Sequence, residues 1–230
     1  MIYLFDVDNT LTPPREKMDA EFKQWFKEFM TTNRVMLITG SDIAKTTEQL
    51  GEDIINAIEY TFSCSGNNIH HYGKQLTKSD WTCPDDLDAF LEHKLSESNY
   101  AKFGEHIEHR IGMVNFSAVG RNAPREEREL YFDWDKTSNQ RKTISEQINA
   151  GWPHLQAVIG GQTSIDIFER GFDKSQILNF LVSGDISFFG DSVYPEGNDF
   201  SLATSIRECN RGITYKVGNW QQTFNLLQQL

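Results

Sequence analysis

The strand–helix rhythm of this chain stops after about 77 residues and starts again near residue 172, and that interruption constrains the fold more than any other feature. The opening Ile2–Val7 is apolar, rich in β-branched and aromatic residues, and ends in a polar turn, as a buried strand does. Met18, Phe22, Trp25, Phe26 and Phe29 then recur at helical spacing, which predicts an amphipathic helix from about Glu16 to Met30. Val35–Ile38 reads as a second short buried strand, with Ser41 and Asp42 placed to cap the helix after it. This alternation predicts a parallel sheet with crossover helices. Ser65-Gly66-Asn67-Asn68 reads as a turn opening a hairpin that returns through Ile69–Tyr72.

The middle of the chain runs differently. A helix at Asp85–Leu95, a strand at Ile107–Val119, helices at Pro124–Trp134 and Lys136–Ile148, and strands at Leu155–Ile159 and Thr163–Phe168 describe a separate α+β unit. The earlier rhythm then resumes. A helix begins near Lys174, a strand follows at Ile186–Phe189, a glycine-bearing loop at Gly190–Gly197, a strand at Ile213–Val217 and a last helix at Trp220–Leu230. The expected fold class is α/β, a Rossmann-like parallel-sheet core (1–77 and 172–230) with an inserted α+β cap domain (78–171).

Composition narrows the partners. A chain of 230 residues can bury a core without disulfide or metal staples. No apolar run approaches the roughly 18 residues of a membrane span, and the start Met1-Ile2-Tyr3-Leu4-Phe5-Asp6 has no basic leader. Cys64, Cys83 and Cys209 are odd in number and far apart, which argues for reduced thiols in a cytoplasmic protein and against a zinc knuckle. A net charge of −11 disfavours nucleic acid as a partner. It also means that an anionic ligand needs a local cluster of cations.

In open α/β sheets, ligands sit beyond the carboxyl ends of the strands. The sequence places Asp6 and Asp8 after the first strand, Thr39-Gly40-Ser41 after the second, Lys174 at a later helix start, and Gly190-Asp191 with Gly197-Asn198-Asp199 after a later strand. Each is alone a common turn or capping residue. Together, in this order, they suit phosphoryl transfer. Asp6, Asp8 and Asp191 would concentrate charge that calls for a cation, and oxygen-only ligands favour Mg²⁺. Asp6 would be the nucleophile and Asp8 the acid–base. Thr39 and Lys174 would supply donors to the phosphoryl oxygens.

Phe5-Asp6-Val7-Asp8-Asn9-Thr10-Leu11-Thr12, with Thr39, Lys174, Gly190-Asp191 and Gly197-Asn198-Asp199, resembles the four motifs of the haloacid dehalogenase superfamily. The substrate must then be read from the insertion. Residues 110–128 hold Arg110, Arg121, Arg125 and Arg128 against only Glu126 and Glu127, a local positive stretch. Guanidinium forks suit phosphate oxygens. Arg125 reads as solvated.

The run Ile107-Glu108-His109-Arg110-Ile111-Gly112-Met113-Val114-Asn115 resembles the cap of the eukaryotic-type phosphomannomutases. So do Val119-Gly120-Arg121, Glu126-Glu127-Arg128, Ile159-Gly160-Gly161-Gln162 and Gly171-Phe172-Asp173-Lys174. Thr12-Pro13-Pro14-Arg15 also fits that family. The resemblance implies that Arg15, Arg110, Arg121, Arg128, Ser164 and Asp166 bind a sugar phosphate. It implies exchange of mannose 6-phosphate and mannose 1-phosphate through a hexose 1,6-bisphosphate activator, and a homodimer through the cap. A sugar-phosphate phosphatase on the same machinery and an inactive sugar-phosphate sensor stay open as alternatives. Asn9 and Glu196 stand where such mutases carry glycine, and the acidic loop after Asp199 is missing. A strand would turn His109 away from His106 and Glu108, so these three read as surface or core rather than as ligands of one metal.

Overall fold

Ile2–Phe5 form β1, and two parallel neighbours bury it. The computed structural model describes residues 1–230. After β1, the helix α1 spans Ala20–Thr32, where the side chain of Asp19 caps it by accepting from the backbone N–H groups of Glu21 and Phe22. It starts later than the periodicity predicts: Asp19, extended at ψ 140°, caps it, and Arg15 turns the preceding chain at a left-handed φ of 64°. The α1 side chains Phe22 and Phe26 are fully buried, each contributing on the order of 1.5–3 kcal/mol of transfer free energy.

β2 (Arg34–Ile38) follows, then α2 (Ile43–Leu50), capped by Asp42 as expected, and α3 (Glu52–Ala57). β3 (Tyr60–Ser63) turns antiparallel into β4 (Asn68–His71), and a further strand, β5 (Lys74–Lys78), extends the sheet. The exposed, polar β5 has no alternation of polar and apolar residues to reveal it.

The insertion contains α4 (Asp85–Glu97), β6 (Ile107–Arg110), β7 (Met113–Phe116), α5 (Arg125–Ser138), α6 (Gln140–Gly151), β8 (Leu155–Gly160) and β9 (Ser164–Glu169). The single strand expected at Ile107–Val119 is a hairpin. Gly112 turns it at φ 69°, and Asn67 and Ser79 fill the space a Cβ would need there. These strands form an antiparallel sheet ordered β6-β7-β9-β8 over its own apolar core, which includes Leu87, Tyr131 and Ile167. Asn139, left-handed at φ 54°, breaks α5 from α6.

The chain then returns through a 3₁₀ turn at Lys174–Gln176, short of the full helix start expected there. α7 (Ile177–Phe180), β10 (Ile186–Gly190), α8 (Phe200–Glu208), β11 (Gly212–Lys216) and α9 (Trp220–Leu227) complete it. The larger sheet runs β11-β10-β1-β2-β3-β4-β5, parallel from β11 to β3. Between β1 and β10 the winding direction reverses, and an α/β sheet of this kind opens a ligand crevice at such a point. No helix is long and apolar enough to cross a membrane.

Candidate active site

Asp6 follows β1, Thr39 follows β2 and Asp191 follows β10, so three adjacent parallel strands deliver them to one crevice. Asp6, Asp8, Arg15, Thr39, Arg110, Arg121, Arg128, Ser164, Asp166 and Asp191 all line the same cleft. None of the 21 lining residues is hydrophobic, which suits a small, highly polar ligand.

Lys174 lies behind the cleft wall, fully buried. Its Nζ donates to Asp6 Oδ1 and to Asp199 Oδ1, both at 2.7 Å. Two of its three donors are thus committed to carboxylates, and it orients Asp6. Burial alone would depress the lysine; the two carboxylates hold it well above its ordinary range. Burial pushes Asp6 up, and Asp199 and Asp191 add to this against the pull of Lys174. Burial and Asp199 likewise push Asp191 up to about 6, while Asn9 and Lys174 act against this.

Carboxylate oxygens of Asp6, Asp191 and Asp199 lie within 4.8 Å of one another. This oxygen-only cluster can hold a hard divalent cation, which would relieve the repulsion that raises Asp6 and Asp191. Asp8, expected among the cation's ligands, stands apart from that group: its Oδ1 accepts from Arg15 N at 2.7 Å and Gln49 Nε2 at 2.8 Å. Asp199 takes its place in the cluster, although its oxygens also accept from Lys174 and from Ser192 N at 3.1 Å. Asn9 reaches a left-handed φ of 61° and donates from Nδ2 to Asp191 Oδ2 at 3.0 Å. The residue that departs from the usual glycine therefore makes a contact glycine could not.

The opposite wall comes from the insertion. Glu108 accepts from Arg110 Nη2, and Arg121 Nε lies 2.9 Å from the same Glu108 oxygen. One carboxylate therefore fixes two guanidiniums. Burial pulls Arg110 down, but Asp166 and Glu108 hold it above its ordinary value. Burial and the nearby Arg121 and Arg128 bring Arg15 down to about 10. The Nε atoms of Arg110 and Arg128 are buried without a protein acceptor. Four guanidiniums that repel one another, two of them with a buried donor unused, concentrate positive charge and free N–H groups on one side of the cleft. Asp166 Oδ1 accepts from Asn115 Nδ2 at 2.7 Å, and Asp166 packs against Gly160, where a Cβ would collide with its carboxylate, and less tightly against Gly40. Glu108, Asn115, Asn9 and Gln49 are site residues that sequence reasoning did not assign.

Contacts between the two units close the cleft. Arg110 Nη1 donates to Gly40 O at 2.7 Å, Ile159 N donates to Glu196 O at 3.2 Å, and Arg125 Nη1 lies 3.7 Å from Glu16. Arg125 is otherwise exposed, paired with Glu129 on its own helix.

Residues 22–230 match the family model described as eukaryotic phosphomannomutase. The chain belongs to the eukaryotic phosphomannomutase family. The phosphomannomutase of Triticum aestivum is 36% identical over 232 residues, covering 96% of this chain and 93% of that protein. The phosphomannomutase of Arabidopsis thaliana is 35% identical, covering 93% of this chain and 91% of that protein. Among solved structures, the C-terminal domain of C. albicans trehalose-6-phosphate phosphatase aligns with a TM-score of 0.68 at 14% identity, over 99% of this chain and 90% of that one. A Plasmodium falciparum IMP-nucleotidase aligns at TM-score 0.62 and 14% identity, over 99% of this chain and 67% of that one. These two show a shared fold for this phosphomannomutase-family chain. The family match begins at residue 22, so the Asp6 loop stands on its own residues and geometry.

Proposed function

We propose that this chain interconverts mannose 6-phosphate and mannose 1-phosphate through a hexose 1,6-bisphosphate and a phosphorylated Asp6. The observation that carries the reading is the single cleft that holds a buried carboxylate at a strand end on one wall and four converging guanidiniums around it. A mutase needs two phosphate positions, one for transfer and one for grip.

In the first half-reaction, the phosphoryl group on Asp6 passes to O1 of mannose 6-phosphate. The Asp6–phosphorus bond breaks as the new ester bond forms, and the hydroxyl proton goes to Asp8. The bisphosphate then reverses end for end. Asp6 attacks the 6-phosphoryl group, the ester bond breaks, and Asp8 returns its proton to O6, releasing mannose 1-phosphate. Asp8 suits this role because protein donors hold only its Oδ1. Lys174 aims the nucleophile, and Thr39, whose Oγ1 accepts from Ser41 N at 3.1 Å, keeps its hydroxyl proton for a phosphoryl oxygen. Arg15, Arg110, Arg121 and Arg128 grip the distal phosphate, with Ser164 and Asp166 toward the sugar. Asp6 and Asp191, with Asp199 close by, would hold Mg²⁺, which when bound offsets the charge between carboxylate and phosphate.

Reversal of the bisphosphate needs room. We assign it to opening of residues 78–171 as a cap, which breaks the Arg110–Gly40, Ile159–Glu196 and Arg125–Glu16 contacts. The same reading carries a homodimer through the cap, supported by the exposed Leu130 and Trp134 on α5. It also carries a cytoplasmic setting, supported by three free thiols.

Phosphorus NMR with mannose 1-phosphate, catalytic bisphosphate and Mg²⁺ tests the reading. Appearance of the 6-phosphate resonance supports it. Appearance of inorganic phosphate alone replaces it with hydrolysis.

A further inference from the structure

We propose that Cys83, Asp88 and His109 form a zinc-binding site on the inserted unit, outside the catalytic cleft. The three come from separate places: Cys83 from the loop before α4, Asp88 from the first turn of α4, and His109 from the edge strand β6. A sulfur, an oxygen and a nitrogen from these side chains lie within 4.8 Å of one another.

Cys83 Sγ donates to Asp88 Oδ1 at 3.2 Å, and His109 Nε2 lies 3.4 Å from that same oxygen. Zinc bonds of about 2.3 Å to sulfur and about 2.0 Å to oxygen and nitrogen define tetrahedral edges of roughly 3.5 Å for S···O and roughly 3.3 Å for N···O. Two of the three separations are already nearly those the ion requires, and sulfur and nitrogen lie within 4.8 Å of each other. His109 is more than half exposed, so its ring can turn to bring nitrogen and sulfur together.

The surroundings attract a cation. Asp85 and Asp86 share the first turn of α4 with Asp88, and Asp86 Oδ2 is occupied by Trp152 Nε1 at 3.0 Å. A mixed sulfur, nitrogen and oxygen set favours zinc over magnesium. Water would complete the tetrahedron from the open side. On binding, the Cys83 thiol proton passes to solvent and the thiolate takes the metal.

In sequence, His109 reads as surface or core because its neighbours face the other way. That alternation is what gives the site its position. Arg110 lines the cleft with Glu108 paired to it on the same side of the strand, and His109 faces outward, so an ion here would pin to α4 the strand that carries part of the phosphate grip.

The test titrates Co²⁺ and then Zn²⁺ into the full-length protein held in excess Mg²⁺, alongside Cys83→Ser, His109→Ala and Cys209→Ser. The expected result is a thiolate-to-cobalt charge-transfer band in the native protein and in Cys209→Ser, displaced by one equivalent of Zn²⁺ and absent in Cys83→Ser. Loss of a direct ligand costs at least as much as the roughly 10–100-fold typical of an outer partner, so His109→Ala should bind at least tenfold more weakly. Zn²⁺ should raise the melting temperature of the native protein and not that of His109→Ala, a surface change that leaves the fold intact. No charge-transfer band, a band that survives Cys83→Ser, or equal affinity in His109→Ala would overturn the proposal.

Discussion

The ammonium of Lys174 sits 2.7 Å from an oxygen of Asp6, although 168 residues separate them in the chain. The same ammonium is 2.7 Å from Asp199, so one buried cation joins the strand end that carries Asp6 to the loop between β10 and α8. Lys174→Met would leave two buried carboxylates unpaired. Removing one partner of a buried pair costs about 3–5 kcal/mol. Urea unfolding should show a loss of that size, and turnover should fall by at least about a hundredfold with the loss of a preorganised donor. A stable, active Lys174→Met would show that Asp6 is oriented by something else.

Glu108 holds Arg110 and Arg121 together without lining the cleft itself. Glu108→Gln should therefore loosen the grip on the distal phosphate and leave the chemistry at Asp6 alone. Steady-state kinetics should show KM for the sugar phosphate rising about tenfold, roughly 1.4 kcal/mol, with kcat changed less. A fall in kcat at constant KM would assign Glu108 to another step.

Asn9 has two properties that substitution can separate. Asn9→Gly keeps the left-handed backbone and loses only the contact to Asp191. Asn9→Ala loses the contact too, and holding alanine in the left-handed conformation adds about 1–2 kcal/mol of strain. Half-saturation by Mg²⁺ should shift upward by about 10–100-fold in both variants, the scale of losing an outer partner of a metal ligand. Only Asn9→Ala should also unfold at lower urea. Unchanged Mg²⁺ dependence in Asn9→Gly would remove the contact to Asp191 from the metal's support.

His70 is buried on β4, and burial lowers its pKa. The folded protein keeps the ring neutral while the unfolded chain takes a proton below about 6.5. Its contribution to stability is thus complete above that pH and shrinks as the pH falls toward the lowered folded value. Between pH 7.5 and 5.5 the native protein should lose more stability in urea than His70→Gln. Equal losses would show that other groups govern the acid limb.

Much of this site is legible before the fold is known, for a physical reason. Asp6, Thr39 and Asp191 each follow an apolar strand, where a parallel sheet leaves one direction for the next side chain. Glu108 is not legible in that way. Its role depends on Arg121, brought back by a turn at Gly112 hidden inside an apolar run. Asp199 reads as a loop acid until Lys174 is seen beside it. Asp8 reads as a cation ligand by its nearness to Asp6, and only the folded loop shows that Gln49 and the Arg15 backbone N–H donate to its Oδ1. The polar β5 escapes notice because it leaves no hydrophobic period, and the break between the two helices of the insertion, expected near residue 135, falls at the left-handed Asn139.

In the proposed reaction the Asp6 side chain itself takes up phosphorus. Mixing the protein with hexose 1,6-bisphosphate and Mg²⁺, quenching in acid and sequencing the phosphorylated peptide by mass spectrometry tests it most directly. The account predicts a phosphoryl group on Asp6, lost in Asp6→Asn together with turnover. Phosphate on another residue, or undiminished turnover in Asp6→Asn, would contradict it.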